Sequence, residues 1–284
     1  MPTIHLAHSP DSDDAFMFYA LAAQKIPTGD REYVHELADI ESLNRRAMNG
    51  ELDVTAVSIH AYAYLADTYA LLPHGSSMGD RYGPRVVSRD AAPQDVNSAL
   101  RGRAVALPGD MTTASLAFKL FQADFTPVIM PFDTIERAVA DREVDAGVLI
   151  HEGQLTYADS GLHLWLDLGE WWFGETGLPL PLGGNAIRRD LGDSLIREVS
   201  RDLRASIVYG LEHRAEALEH AMQYARDLDA DKADEFVGMY VNDYTVDYGE
   251  KGRLAVQELL NRGCAAGIIP HPVAVTFVDD GSMP

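Results

Sequence analysis

Short apolar runs alternate with longer amphipathic stretches along the first two thirds of the chain, the pattern of strands feeding helices. Residues 3–8, 33–37, 54–59, 69–72 and 84–88 read as strands, and residues 15–24, 40–49 and 61–66 as helices. The loop Ser9-Pro-Asp-Ser-Asp-Asp14 offers N-cap chemistry to the first helix. Asp39 caps the second, and Gly50 ends it. A second series follows, with strands over 104–107, 126–130 and 146–150 and helices over 114–122 and 135–141. From Leu191 the pattern turns helical, with the longer candidates at 194–214, 230–240 and 250–263.

The two series resemble each other. Asp39-Ile-Glu41, a helix, Gly50-Glu-Leu-Asp53, a strand and His60 recur as Thr134-Ile-Glu136, a helix, Glu143-Val-Asp145, a strand and His151. Each unit is β-α-β-α-β, which builds a parallel-rich sheet with helices on both faces. The expected architecture is α/β, with two lobes and a central cleft. Lobe I would hold residues 1–103 plus 187–284 with the C-terminal helices, and lobe II residues 104–186. The chain would cross between them near 98–103 and 185–190.

Charge narrows the partners. With 44 acidic against 23 basic residues the net charge is −21, which argues against nucleic acid and anionic membrane surfaces. An anionic ligand must then be held by backbone N–H groups, hydroxyls and a few arginines. The single cysteine, Cys264, excludes an intramolecular disulfide and a cysteine-based zinc cluster. No basic segment leads into an apolar one at the N-terminus, and no apolar run reaches membrane-spanning length, so a cytoplasmic protein is expected. A small-molecule anion such as a carboxylate or phosphate is the expected kind of partner, with a homodimer as the one macromolecular assembly left open.

Three stretches carry chemistry. In Leu107-Pro-Gly-Asp-Met-Thr-Thr-Ala-Ser115 a strand, a Gly turn and hydroxyl residues lead into a helix whose first N–H groups suit a carboxylate or phosphate. The competing reading is that Thr112 and Thr113 only cap the helix. Ser9–Asp14 stands at the corresponding place in the first unit, where Ser9, Asp13 and Asp14 would meet hydroxyls of a ligand. Its bland reading is a cap with solvated aspartates, and it lacks the Gly and distal Glu of a calcium loop, so no metal is expected. His151, at the carboxyl end of the apolar strand 146–150, is the sharpest candidate. Ligands bind beyond such strand ends, and an imidazole there exchanges protons near neutral pH. Glu152 would orient it if the loop brings the two together. The alternative is a structural histidine on a backbone carbonyl.

Gly177-Leu-Pro-Leu-Pro-Leu-Gly-Gly-Asn185 reads as a hinge or cleft wall, because its prolines disfavour a helix or a central strand. Trp171 and Trp172 before it offer a stacking surface, although core is the commoner fate of such aromatics.

Ser9-Pro10, Asp14, Phe16, Thr112-Thr113-Ala114, Gly147-Val-Leu-Ile-His-Glu152 and the Leu-Pro-Leu-Pro-Leu-Gly run ending at Gly183 together resemble the menaquinone-biosynthesis family of the futalosine route. Tyr240-Val-Asn-Asp-Tyr244 and Gly249-Glu-Lys-Gly252 extend the resemblance over nearly the whole chain. It implies a periplasmic-binding-protein-like fold of two lobes and a lyase that cleaves cyclic dehypoxanthinylfutalosine to 1,4-dihydroxy-6-naphthoate without metal or organic cofactor. His151 matches the family's general base, Thr112 and Thr113 its carboxylate site, and Ser58 another cleft position. One loop departs from the pattern. Where the family has Ser-Pro-Cys-Pro-Asn-Asp-Thr, this chain has Ser9-Pro-Asp-Ser-Asp-Asp-Ala15, exchanging a donating amide for carboxylates that only accept. Two other functions therefore stand beside the lyase: a solute-binding or sensor protein using the same cleft without chemistry, and a paralogous enzyme acting on another carboxylate.

Overall fold

The computed structural model describes residues 2–224, 229–279 and 281. The first alternation runs β1 (Thr3–His8), α1 (Ser12–Ala22), β2 (Glu32–Leu37), α2 (Ile40–Met48), β3 (Val54–Ser58) and α3 (Ile59–Leu65). Then come β4 (Tyr69–Leu71), β5 (Ser77–Gly79), β6 (Arg85–Ser88) and α4 (Val96–Leu100). The pattern restarts with β7 (Ala104–Leu107), α5 (Thr113–Phe121), β8 (Thr126–Ile129), α6 (Phe132–Ala140), β9 (Ala146–Leu149) and α7 (Gly153–Thr156). It closes with β10 (His163–Asp167), α8 (Leu168–Thr176) and β11 (Leu180–Arg188). The rest is helical: α9 (Asp193–Glu212), α10 (Arg214–Ala221), α11 (Ala230–Tyr240), α12 (Asp243–Val246) and α13 (Gly249–Ala265).

The internal repeat is visible in the sheets. One sheet has the order β2-β1-β3-β11-β4, with β5 also on β11, and the other β8-β7-β9-β6-β10. In each, the first strand of the unit pairs in parallel with the second and third. A strand that enters from elsewhere in the chain then lies antiparallel to the third: β11 on β3, and β6 on β9.

That exchange moves the expected lobe limits. β6, placed by the sequence in residues 1–103, belongs to the second sheet; β11, placed largely in residues 104–186, belongs to the first. Each sheet completes itself with an antiparallel strand borrowed across the cleft, so the chain changes lobes at residues 80–84 and 177–179, not at 98–103 and 185–190. The Pro-Leu-Gly-Gly run is likewise a strand and not only a hinge. Pro181 pairs with Met78, and the ladder shifts register between Pro181 and Gly183. Such an irregularity accommodates a residue with no N–H to donate.

Helix α1 starts at Ser12, three residues before the expected position. Asp13 and Asp14 therefore sit in its first turn, where the positive end of the helix dipole favours carboxylates. Asp39 caps α2 as expected, its side chain accepting from the Ser42 N–H.

One apolar cluster joins the lobes, taking Val57, Tyr62 and Leu71 from the first and Leu107, Phe118 and Trp172 from the second. A second packs α1 against α9 through Phe16, Phe18, Leu203 and Ile207. A third holds α6 on its sheet through Ile135, Val139 and Leu149. Trp172 is fully buried and donates its indole N–H to the Pro179 carbonyl. Among the described residues no helix is long and apolar enough to cross a membrane.

Candidate active site

The segments that follow β1, β3, β7 and β9 line one cavity between the lobes, enclosing about 730 Å³ of empty space with its mouth included. The two sheets place the carboxyl ends of their parallel strands on it, which is where open α/β sheets bind.

Ser9, Asp13 and Asp14 line the first-lobe wall, as expected. Ser9 is already engaged, because its backbone N–H and its hydroxyl both donate to Asp14 Oδ2, each at 2.8 Å. Burial raises the Asp14 carboxyl to about 6, against the opposing effect of the two Ser9 hydrogen bonds. Asp13 is pushed well above the usual carboxylate range, first by burial and then by the charges of Asp14, Asp11 and Glu152. The departing loop thus makes a buried acidic wall, and not the solvated aspartates of the bland reading.

Ser58 ends β3 and faces the same cavity. Asn44 holds it twice, donating from Nδ2 to Ser58 Oγ at 3.0 Å and accepting the Ser58 N–H at 2.9 Å. With Oγ accepting from the Asn44 amide, the Ser58 hydroxyl keeps its proton for a ligand.

On the second lobe Thr112 and Thr113 line the cavity, but their hydroxyls are bonded internally. Thr112 is the N-cap of α5, accepting the Ser115 N–H and donating to the Gly109 carbonyl. Thr113 donates to the Leu182 carbonyl at 2.6 Å and accepts the His60 N–H at 3.2 Å. What α5 offers a ligand is therefore backbone. The first N–H groups of a helix lack intrahelical acceptors, and Thr113 and Ala114 supply them at the cavity wall.

His151 follows β9 with φ of 53°, a left-handed conformation uncommon outside glycine. It lines the cavity with its side chain 17% exposed. Its Nδ1 lies 3.1 Å from Asp11 Oδ2, and the Phe132 ring packs edge-on with centroids 4.6 Å apart. The carboxylate against the imidazole is thus Asp11, from the opposite lobe, and not the neighbouring Glu152. Glu152 starts α7 in helical conformation and is buried, but it does not line the cavity.

Sequence reasoning missed Asp11, Asn44, Gln154, Asn185 and Tyr240. Asp11 lay in the departing loop but gave no sign of what it would meet. Tyr240, from α11, donates to Gln154 Oε1 at 2.7 Å and closes the cavity from the C-terminal helices. Neither Trp171 nor Trp172 lines the cavity, so the expected alternative of ring stacking falls to core packing. Among the described residues no group of three or more His, Cys, Asp or Glu side chains is arranged to hold a metal ion.

The profile of the family described as menaquinone biosynthesis matches residues 4–265. The chain belongs to that family. Over 283 residues it is 40% identical to 1,4-dihydroxy-6-naphthoate synthase of Streptomyces coelicolor, covering 97% of this chain and 98% of that one. Among solved structures, protein AF1704 from Archaeoglobus fulgidus is 50% identical with a TM-score of 0.89, covering 94% of this chain and 98% of that one. The Candida albicans CA3427 gene product, described as having the generic periplasmic binding protein fold, is 14% identical with a TM-score of 0.69 and covers 98% of both chains. That similarity shows the fold alone: this menaquinone-biosynthesis protein has two periplasmic-binding-protein-like lobes, as the resemblance implied.

Proposed function

We propose that this menaquinone-biosynthesis enzyme is a lyase converting cyclic dehypoxanthinylfutalosine to 1,4-dihydroxy-6-naphthoate, with His151 as the general base. The observation that carries the reading is the placement of His151. Its ring borders the cavity between the lobes, with Nδ1 on the Asp11 carboxylate and Nε2 not engaged by it. A base so placed can take the proton whose loss starts carbon–carbon cleavage, and the enclosing lobes keep water from competing.

The substrate carboxylate would sit on the Thr113 and Ala114 N–H groups, where the α5 dipole offsets the negative charge of the chain. Ser58 would donate to a substrate oxygen. Burial and the neighbouring charges favour the protonated form of Asp13, which would donate where an ionised carboxylate only accepts. The solute-binding reading shares the cleft, but the 40% identity to a synthase over nearly the whole chain favours the enzyme.

Purified protein incubated with cyclic dehypoxanthinylfutalosine should release 1,4-dihydroxy-6-naphthoate. His151→Ala should lower turnover by about 100-fold or more while substrate binding stays within about tenfold. Full activity in that variant removes the histidine from the mechanism. No product from the wild type moves the chain to another carboxylate substrate.

A further inference from the structure

Asp11 occupies the N-cap of α1 in extended conformation, where an aspartate ordinarily accepts a helix N–H. Its side chain makes no such bond. The carboxylate is 2% exposed, with Oδ2 on His151 Nδ1 and Oδ1 without a hydrogen-bond partner. A buried carboxylate with one oxygen unpaired costs stability, so capping and packing leave it unexplained.

The internal repeat supplies the comparison. His60 follows β3 as His151 follows β9, and each histidine reaches across the cleft to the N-cap residue of the helix that follows the first strand of the other repeat unit. His60 Nδ1 meets the Thr112 backbone carbonyl at 3.3 Å; His151 Nδ1 meets the Asp11 carboxylate at 3.1 Å. The same contact is therefore made twice, once with a neutral acceptor and once with a charged one. The charged version falls on the histidine whose other nitrogen is left to the cavity.

Resting on the reading of His151 as the base, we propose that Asp11 is its positioning residue. It accepts the Nδ1 proton, fixes Nε2 as the nitrogen that takes the substrate proton, and stabilises the imidazolium that results. Because Asp11 stands on the first lobe and His151 on the second, the pair is complete only while the lobes meet. The Tyr240 hydroxyl on Gln154, three residues beyond His151, holds the same segment to the first lobe at a second point.

The test uses Asp11→Asn and Asp11→Ala in the full chain. Turnover should fall by about 100-fold or more with KM changed only a few-fold, because the lost interaction orients a base and binds no substrate. The melting temperature should hold or rise, since a half-satisfied buried carboxylate has been removed; a merely structural aspartate would lower it and leave turnover of the folded enzyme intact. Nitrogen-15 spectra of ring-labelled protein, with His151 assigned by its absence in His151→Ala, read the tautomer without any substrate. Wild type should carry its neutral-form proton on Nδ1, and Asp11→Ala should lose that preference. Wild-type turnover in Asp11→Asn, or an Nε2–H tautomer in the wild type, overturns the proposal. Should the wild type fail on cyclic dehypoxanthinylfutalosine, the substrate assignment falls and the tautomer measurement decides the role of Asp11 alone.

Discussion

Asn44 on α2 binds Ser58 at the end of β3 through both its backbone and its side chain, at 2.9 and 3.0 Å. Both residues are buried. Asn44→Ala should cost about 1–3 kcal/mol by stranding the Ser58 N–H. It should also raise KM several-fold as the hydroxyl loses its orientation. Thermal unfolding and steady-state kinetics on one preparation check both, and an unchanged KM would remove Ser58 from substrate contact.

Gly75 lines the cavity with φ of +76°, and a Cβ there would come within 2.0 Å of Asn185 Nδ2. Gly75→Ala combines left-handed strain with displacement of a buried amide. A loss of about 2 kcal/mol or more is expected, together with impaired ligand binding. Gly50→Ala is the control, since φ is +67° there but nothing lies within 4 Å. It should cost only the conformational strain, about 1 kcal/mol, and leave activity unchanged. Equal effects from the two variants would contradict the close approach.

Buried histidines and aspartates pull stability in opposite directions with pH. Burial lowers His60 from 6.5 to about 4, so on acidification the unfolded chain takes up its proton first. The stability it contributes is full above pH 6.5 and is lost as pH falls from 6.5 toward 4. His8 and His35, also lowered to about 4 by burial, act with the same sign. Asp14, raised from 3.8 to about 6 by burial, takes its proton first in the folded state and so gains stability over pH 6 to 4. Between pH 7 and 5 the wild type should lose about 2 kcal/mol relative to His60→Gln and gain about 1 kcal/mol relative to Asp14→Asn. Denaturant midpoints at the two pH values measure both differences. Parallel profiles would mean that these groups are not buried as described.

Much of the fold was legible because local pattern and local chemistry agree in it. The strand at 104–107, the helix at 230–240 and the Asp39 cap were each determined by residues within one element. Strand β5 is hidden in the sequence because it has only three residues among loop-like ones. In strand β11 Pro181 argues against a strand, and only its partner β5 shows how the ladder steps around it. The lobe limits moved for the same reason: β6 and β11 look like any other strand until the sheet that accepts them is known.

The candidate site divides in a similar way. His151, Thr112, Thr113 and Ser58 were found because they stand at strand ends and helix starts, which apolar runs and capping residues mark. Their roles were not. Whether the Thr113 hydroxyl faces a ligand or the Leu182 carbonyl depends on a residue 69 positions away. Glu152 was the natural orienter of His151 by adjacency, yet the partner is Asp11, 140 residues earlier. The sequence by itself determined the elements, the repeat, the acidic balance and the family, since these follow from short-range periodicity and motifs. Only the tertiary structure decided which carboxylate meets the histidine, because two N-caps and two strand ends become neighbours only when the lobes fold against each other.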